Sequence, residues 1–218
     1  MEKHSFIARR TARYVTLGQF NAETRRVWFV LHGYGQLAEY FIRRFDVLDD
    51  GHTFVVAPEA LSRFYLDGVG NHSGKIGATW MTREDRLNEI DDYLYYLNTL
   101  YHTLISEADE SRLQIGLLGF SQGTATVCRW IAGGKFSVDK LILWAGLFPP
   151  DLQEFPNWER LKTIESILVY GDQDPYVKGE EVANYVAQLK QTGLSPRIVR
   201  FEGKHEVVRE VIRQVTAF

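Results

Sequence analysis

The chain has 218 residues, 45% hydrophobic and 24% charged, which is ordinary for a globular protein with one sizeable core. Its formal net charge of −3 gives no sign of the basic surface that nucleic-acid binding needs. No run of 18 residues is apolar and no signal peptide is recognisable, so we expect no integral membrane segment. The single cysteine, Cys128, excludes an internal disulfide and is typical of a reducing compartment. We therefore expect a cytoplasmic protein whose residues 1–218 form one domain.

The first part of the chain predicts three strands and one helix. Alternating residues over 9–17 indicate an edge strand, and residues 18–23 would form the loop of a hairpin. The continuous apolar run 27–31 is typical of a strand that is buried on both faces. A helical pattern follows over 37–48, and another apolar strand is predicted over 53–58.

A long loop and the clearest helix come next. Residues 59–79 are irregular and rich in Gly, His, Asn and Ser, and a loop of this length is usually functional or mobile. An apolar stripe from Leu87 to Leu104 predicts a helix over 82–106, with Thr82 as its N-cap.

The rest of the chain alternates between strands and helices. Strands are predicted over 113–118, 138–145, 167–170 and 197–201. Helices are predicted from residue 122 to the glycines 133 and 134, over 178–191, and at the C-terminus, with a long connection over 147–163. This alternation indicates an α/β fold, a mostly parallel sheet of about seven strands with helices on both faces. Ligands of such sheets bind beyond the carboxyl ends of the strands.

A Gly-x-Ser-x-Gly pattern at residues 119–123 joins a predicted strand to a predicted helix. The two glycines would let the strand and the helix approach closely, with Ser121 exposed at the apex of a strained turn. The N–H of Gln122, at the positive end of the helix, would point to where an oxyanion forms. The alternative is a glycine-rich turn that carries an idle serine.

Ser121 needs a base and an orienting acid to act as a nucleophile, in the chain order serine, acid, histidine. Asp174 follows the strand that ends at Tyr170, and His205 follows the strand that ends at Phe201. Their alternatives are a turn-forming aspartate and a helix-capping histidine. Because all three placements agree with one geometry, we favour a Ser121–His205–Asp174 triad.

The second oxyanion donor is expected from the loop after an earlier strand. The sequence His-Gly-Tyr-Gly at residues 32–35 has that position, so the N–H of Tyr34 would be the partner of the N–H of Gln122. The alternative is that the two glycines merely turn the chain. Cys128 lies well inside a helix and is not a rival nucleophile.

These motifs resemble the phospholipase/carboxylesterase family, small α/β-hydrolases that include the acyl-protein thioesterases. The resemblance extends from about residue 27 to the C-terminus and includes Gly-Asp-Gln-Asp-Pro at 171–175. It implies an α/β-hydrolase fold without a large cap domain, with Ser121 as nucleophile, Asp174 as acid and His205 as base. Two departures concern the substrate: Gln36 stands where an aspartate is frequent, and Trp-Met-Thr at 80–82 where the thioesterases have Trp-Phe-Asp.

We therefore expect a serine esterase that hydrolyses a small-molecule ester or thioester through an acyl-enzyme, without cofactor or metal. It could be a lysophospholipase or an acyl-protein thioesterase, and a homodimer is possible. Less favoured alternatives are a small peptidase and a catalytically silent binding protein of the same fold. The apolar residues expected to line the substrate pocket are Tyr34, Leu37, Trp80, Met81, Leu147, Phe148, Tyr176 and Val177.

Overall fold

The structure, a computed structural model, describes residues 1–67, 74–106, 108–177 and 179–218. Seven strands of these residues form one sheet in the order β1-β3-β2-β6-β7-β8-β9, in which β1 is antiparallel to β3 and the other pairs are parallel. The sheet strands are β1 (Tyr14–Leu17), β2 (Arg26–Leu31), β3 (Thr53–Pro58), β6 (Gln114–Phe120), β7 (Lys140–Trp144), β8 (Glu165–Gly171) and β9 (Arg197–Phe201). A separate hairpin consists of β4 (Ser62–Tyr65) and β5 (Ile76–Thr79).

Helices cover both faces of the sheet and enclose two hydrophobic cores. The helices are α1 (Ala38–Phe41), α2 (Arg86–Ile105), α3 (Gln122–Gly133), α4 (Gly179–Gln191) and α5 (Arg209–Val215). Alternate residues of β2 serve the two cores: Phe29 packs with residues of α2 and α3, whereas Trp28 packs with residues of α1 and α5. The continuous apolar run of this strand follows from its burial on both faces. The predicted α/β-hydrolase fold is confirmed.

The hairpin predicted at the N-terminus is wrong, since β1 pairs with β3 and not with β2. The central strand β2 is already bonded on both edges, to β3 and β6, so β1 can join the sheet only at its margin. Residues 9–13 were expected in this strand, but they lie outside it and are largely exposed. The short β1 therefore forms the edge of the sheet.

Three further elements differ from prediction. The helix expected over 37–48 is one α-helical turn, α1, followed by a 3-10 helix at Ile42–Leu48. Thr82 is not an N-cap: α2 begins at Arg86, and the Thr82 N–H donates to the Glu89 carboxylate. The stretch 59–79, which was expected to be irregular, contains the β4–β5 hairpin. Its two strands pair with each other and not with the main sheet. Residues 68–73 of the stretch 59–79 and residue 178 of the helix predicted over 178–191 lie outside the described residues.

Candidate active site

Ser121 lies between β6 and α3 in a strained backbone conformation. Its φ of 52° and ψ of −115° fall outside the regions that L-residues normally adopt. Its N–H donates to the Trp144 carbonyl over 2.8 Å, and its carbonyl accepts from the Thr124 N–H over 3.1 Å. These bonds to β7 and α3 hold the turn that directs the Ser121 side chain beyond the sheet.

The close approach predicted for the two glycines is present. A Cβ atom on Gly119 would lie 2.3 Å from the carbonyl oxygen of Gly123, and one on Gly123 would lie 2.5 Å from that of Leu31. Real Cβ contacts are never so short, and both obstacles are backbone atoms that cannot rotate away. Glycine at these positions therefore allows β6, α3 and β2 to meet beside Ser121.

Asp174 and His205 meet at the carboxyl ends of β8 and β9, as the sequence predicts. Asp174 Oδ2 accepts a hydrogen bond from His205 Nδ1 over 2.7 Å, and Oδ1 accepts one from the Tyr176 N–H over 2.8 Å. The Asp174 side chain is fully buried, whereas His205 retains some exposure. The rings of Phe120 and Tyr176 contact the imidazole at centroid distances of 4.9 Å each. The His205 ring is thus held with Nδ1 toward Asp174, and no hydrogen bond among the described residues involves Nε2.

Ser121 and His205 line the same cavity, of about 530 Å³. The hydrogen bonds of the described residues include none between these two side chains. A base and a nucleophile commonly tighten their contact only in the substrate complex. Both residues line one cavity at the carboxyl edge of the sheet, where ligands of such folds bind.

Of the two expected oxyanion donors, Tyr34 lines this cavity and Gln122 directly follows Ser121 in the chain. Among the described residues, neither the Tyr34 N–H nor the Gln122 N–H donates to another protein group. Gln122 is the first residue of α3, and the first N–H groups of a helix have no partner within it. Both N–H groups can therefore donate to a ligand oxygen.

The side chains of Gln36 and Gln122, to which the sequence analysis gave no structural role, hold the segments that carry these donors. Gln36 Oε1 accepts from the Gly33 N–H over 2.8 Å, which fixes the turn that carries Tyr34. The Gln122 amide bonds to the backbone of Trp80 and Met81. The polar side chains at residues 36 and 122 were the signal in the sequence, but the Gln122 partners Trp80 and Met81 are distant in the chain and follow the stretch 59–79, which was predicted to be irregular.

The predicted pocket residues divide into three groups. Tyr34, Leu147, Tyr176 and Val177 line the cavity that contains Ser121. A second cavity, of about 730 Å³, lies on the other side of His205 between α1 and the β4–β5 hairpin, and Leu37 belongs to its wall.

Three of the predicted residues line neither of these cavities. Trp80 is buried, and its indole N–H donates to the His32 carbonyl over 2.8 Å. Phe148 is a core residue, and Met81 packs against the same core near Arg129. The apolar character that suggested a pocket wall instead reflects burial under the site.

His32, the other histidine at a strand end, is a buried structural residue. The Ala60 N–H donates to its Nε2 over 3.1 Å, so Nδ1 carries the proton and donates to the Gly33 carbonyl over 2.8 Å. Burial lowers the pKa of His32, which keeps it neutral and bonded on both nitrogens. His32 therefore connects the turn that carries Tyr34 to Ala60, two residues after the end of β3.

A buried ion pair involves a side chain of α3. Arg129 of α3 makes three hydrogen bonds of 2.9–3.2 Å to the Asp151 carboxylate, which also accepts from Arg86 of α2. The network joins α3 to α2 and to the segment after β7.

No group of acidic, histidine or cysteine side chains in the described ranges could hold a metal ion. None of the helices in those ranges is long and apolar enough to cross a bilayer.

The chain is similar in fold to several solved hydrolases. Zea mays acyl-protein thioesterase 2 shares 19% identity and a TM-score of 0.68, over 94% of this chain and 96% of that chain. Esterase PE8 shares 17% identity and a TM-score of 0.65, over 94% and 99%. A phospholipase/carboxylesterase from Dyadobacter fermentans DSM 18053 shares 16% identity and a TM-score of 0.63, over 96% of each chain. At identities this low the structural similarity shows the fold, which is the fold that the resemblance in sequence implied.

At the level of sequence, no curated protein matches the chain. Residues 23–210, however, match the family described as Serine hydrolase (FSH1). This match covers most of the chain, including residues 121, 174 and 205, and the chain therefore belongs to the FSH1 family of serine hydrolases.

Proposed function

We propose that the protein is a carboxylesterase that cleaves ester or thioester bonds through an acyl-enzyme on Ser121. The observation that carries this proposal is the 2.7 Å bond between Asp174 and His205 beside the cavity that Ser121 lines. A buried carboxylate on Nδ1 leaves Nε2 as the proton acceptor, which is what a serine nucleophile requires.

In the proposed reaction, Ser121 Oγ attacks the substrate carbonyl while His205 Nε2 takes its proton. The Tyr34 and Gln122 N–H groups would stabilise the oxyanion of the tetrahedral intermediate. His205 then protonates the leaving alcohol or thiol, and the acyl-enzyme forms. A water molecule activated by His205 attacks the acyl group, which releases the acid and restores Ser121. Asp174 keeps the imidazole in the required tautomer throughout.

The cavity walls favour an apolar acyl group of medium length or an aryl group. Its volume of about 530 Å³ lies within the usual range for small-molecule sites. Leu147, Val177 and Val182 contribute apolar surface, and the side chains of Tyr34 and Tyr176, which also line the cavity, are exposed.

A cytoplasmic location and a single domain over 1–218 are part of the proposal. The lone, buried Cys128 supports the location, and the family match over 23–210 supports the single domain.

The test is a chain-length series of p-nitrophenyl esters assayed with the wild type and with Ser121→Ala. Loss of the nucleophile should reduce turnover about 10⁴- to 10⁶-fold. A fluorophosphonate probe should label the wild type once, and peptide mapping should place the label on Ser121. Ser137→Ala is the matched control, since this serine is exposed and outside the cavity, and it should keep full activity and labelling. If Ser121→Ala retained more than a few per cent of the activity, the proposed nucleophile would be wrong.

A further inference from the structure

Strand β5 contacts the first half of the proposed oxyanion hole through the main chain. The Gly35 N–H donates to the Ala78 carbonyl over 2.9 Å, and the Ala78 N–H donates to the Gln36 carbonyl over 3.1 Å. Both bonds are made by the two residues that directly follow Tyr34 in its turn. Strand β5 therefore holds the chain next to the Tyr34 N–H.

The same strand and the two residues after it contact the second half through the Gln122 side chain. Gln122 Oε1 accepts from the Trp80 N–H over 3.0 Å, and Nε2 donates to the Met81 carbonyl over 2.8 Å. The Thr79 hydroxyl lies 3.1 Å from Oε1 and 3.0 Å from Nε2. The oxygen and the nitrogen of the Gln122 side-chain amide therefore both have hydrogen-bond partners within residues 79–81.

These contacts are more than α3 itself requires. A residue at the first position of a helix ordinarily directs its polar side chain to water or to its own backbone. Here Gln122 is half-buried, and its partner Thr79 is only 4% exposed. Buried hydrogen bonds of this kind hold a definite geometry, because an unpaired partner in the interior is costly.

We infer that Thr79 and the Gln122 side chain are positioning residues that couple the two oxyanion donors through β5. The inference rests on the proposed function, since it concerns the transition state of that reaction. Neither side chain donates to the oxyanion; the Gln122 backbone N–H does so. Their effect is to hold the Tyr34 and Gln122 amides at one fixed separation, so that both meet the oxyanion without rearrangement.

Two nearly isosteric substitutions test this inference, Thr79→Val and Gln122→Met. Both keep every backbone N–H and remove only the side-chain bonds. Each should lower kcat about 10- to 100-fold, less than the 10²–10³ that loss of a whole oxyanion donor costs, with KM changed less than about threefold. Thr79→Ser keeps the hydroxyl and should restore most of the rate. The double variant should lose little more than Gln122→Met alone, because that substitution already removes the bonds between Thr79 and Gln122.

The distinguishing measurement is inhibition by an alkyl trifluoromethyl ketone, which forms a tetrahedral oxyanion adduct on a catalytic serine. Its inhibition constant should weaken in each variant by the factor by which kcat/KM falls, as the oxyanion hole requires. Matched controls are Thr103→Val on the exposed face of α2 and Gln188→Met on the exposed face of α4, which should leave rate and inhibition unchanged.

The possible outcomes separate this inference from the proposed function. If Ser121→Ala abolishes activity but Thr79→Val and Gln122→Met lose less than threefold in kcat, the positioning role is wrong and the esterase stands. A rate loss without weaker inhibition would also overturn it, since the effect would then lie outside the oxyanion hole. Thermal unfolding shows whether either variant is misfolded; if one is, the other decides the question. Activity of Ser121→Ala would instead refute the proposed function itself.

Discussion

Replacing Asp151 with alanine should leave a guanidinium group unpaired in the protein interior. The Arg129 side chain is 5% exposed, and Asp151 is its acidic partner through three hydrogen bonds. The other polar neighbours of this guanidinium, Tyr93 Oη at 3.4 Å and Met81 Sδ at 3.6 Å, carry no charge to compensate it. Arg86 also loses its partner, but it is 31% exposed and can turn to water.

The expected cost is large for a single substitution. Removing one partner of a buried ion pair destabilises a protein by about 3–5 kcal/mol. The whole stability of a domain is only about 5–15 kcal/mol, so Asp151→Ala would remove a substantial part of it. For a chain of this size the melting temperature should fall by roughly 6–20 °C, at about 2–4 °C per kcal/mol.

Urea unfolding followed by circular dichroism measures this loss, provided that the slope m of unfolding free energy against urea concentration is the same for both proteins.

The pH dependence of stability gives a second readout. Burial raises the pKa of the Asp151 carboxyl, but the hydrogen bonds and charge of Arg129 outweigh it, so the pKa lies below its usual value. Its contribution is complete above the unfolded-state pKa of about 3.9 and is lost as the pH falls through the lower folded value. Below about pH 4 the wild type should therefore lose stability more steeply than Asp151→Ala.

The control is Glu39→Ala, which breaks the exposed pair with Arg43 and should cost about 0.5 kcal/mol or less. The double variant Arg129→Leu with Asp151→Leu should recover most of the loss, because it removes the buried charge together with its partner. A loss of less than about 1 kcal/mol in Asp151→Ala would refute the reasoning, since burial of an unpaired Arg129 cannot be so cheap.

Two substitutions at the site have equally definite expectations. Asp174→Asn should lower kcat about 10⁴-fold with little change in KM, because an amide next to Nδ1 favours the wrong tautomer of His205; steady-state kinetics with a p-nitrophenyl ester measures it, and a loss below tenfold would contradict the role of the acid. Gly119→Ala would place its Cβ 2.3 Å from the Gly123 carbonyl oxygen, so both the melting temperature and kcat should fall. Gly179→Ala is its control, since the nearest atom to that Cβ is 3.6 Å away, and equal behaviour of the two variants would count against the steric argument.

Much of the candidate site could be predicted from local patterns. A short apolar run followed by helical spacing predicted the turn at Ser121, and the structure shows that turn with its positive φ. Asp174 and His205 were predicted as neighbours only because each follows a strand, and their hydrogen bond confirms the contact. Their catalytic roles stay predictions. The carboxyl ends of parallel strands share one edge, so this rule needs no knowledge of distant contacts.

The pocket wall was predicted less well. Trp80 and Phe148 are as apolar as Leu147 and Val177, but the first two are buried in the core and the others line the cavity. Residue type does not decide between these fates, because both places favour large apolar side chains. The β4–β5 hairpin was missed for a similar reason, since its residues are rich in turn formers and its strands have only four residues each.

The sequence by itself determined the order along the chain of the helices and of the strands of the main sheet, the α/β class and the strand-end positions of Ser121, Asp174 and His205. These follow from hydrophobic periodicity and turn chemistry, which act over a few neighbouring residues. Only the tertiary structure decided that β1 joins β3 and that β5 bonds both to the residues after Tyr34 and to the Gln122 side chain. Such pairings depend on which backbone edges and buried amides remain free after the rest of the chain has packed, and this is a property of the whole fold.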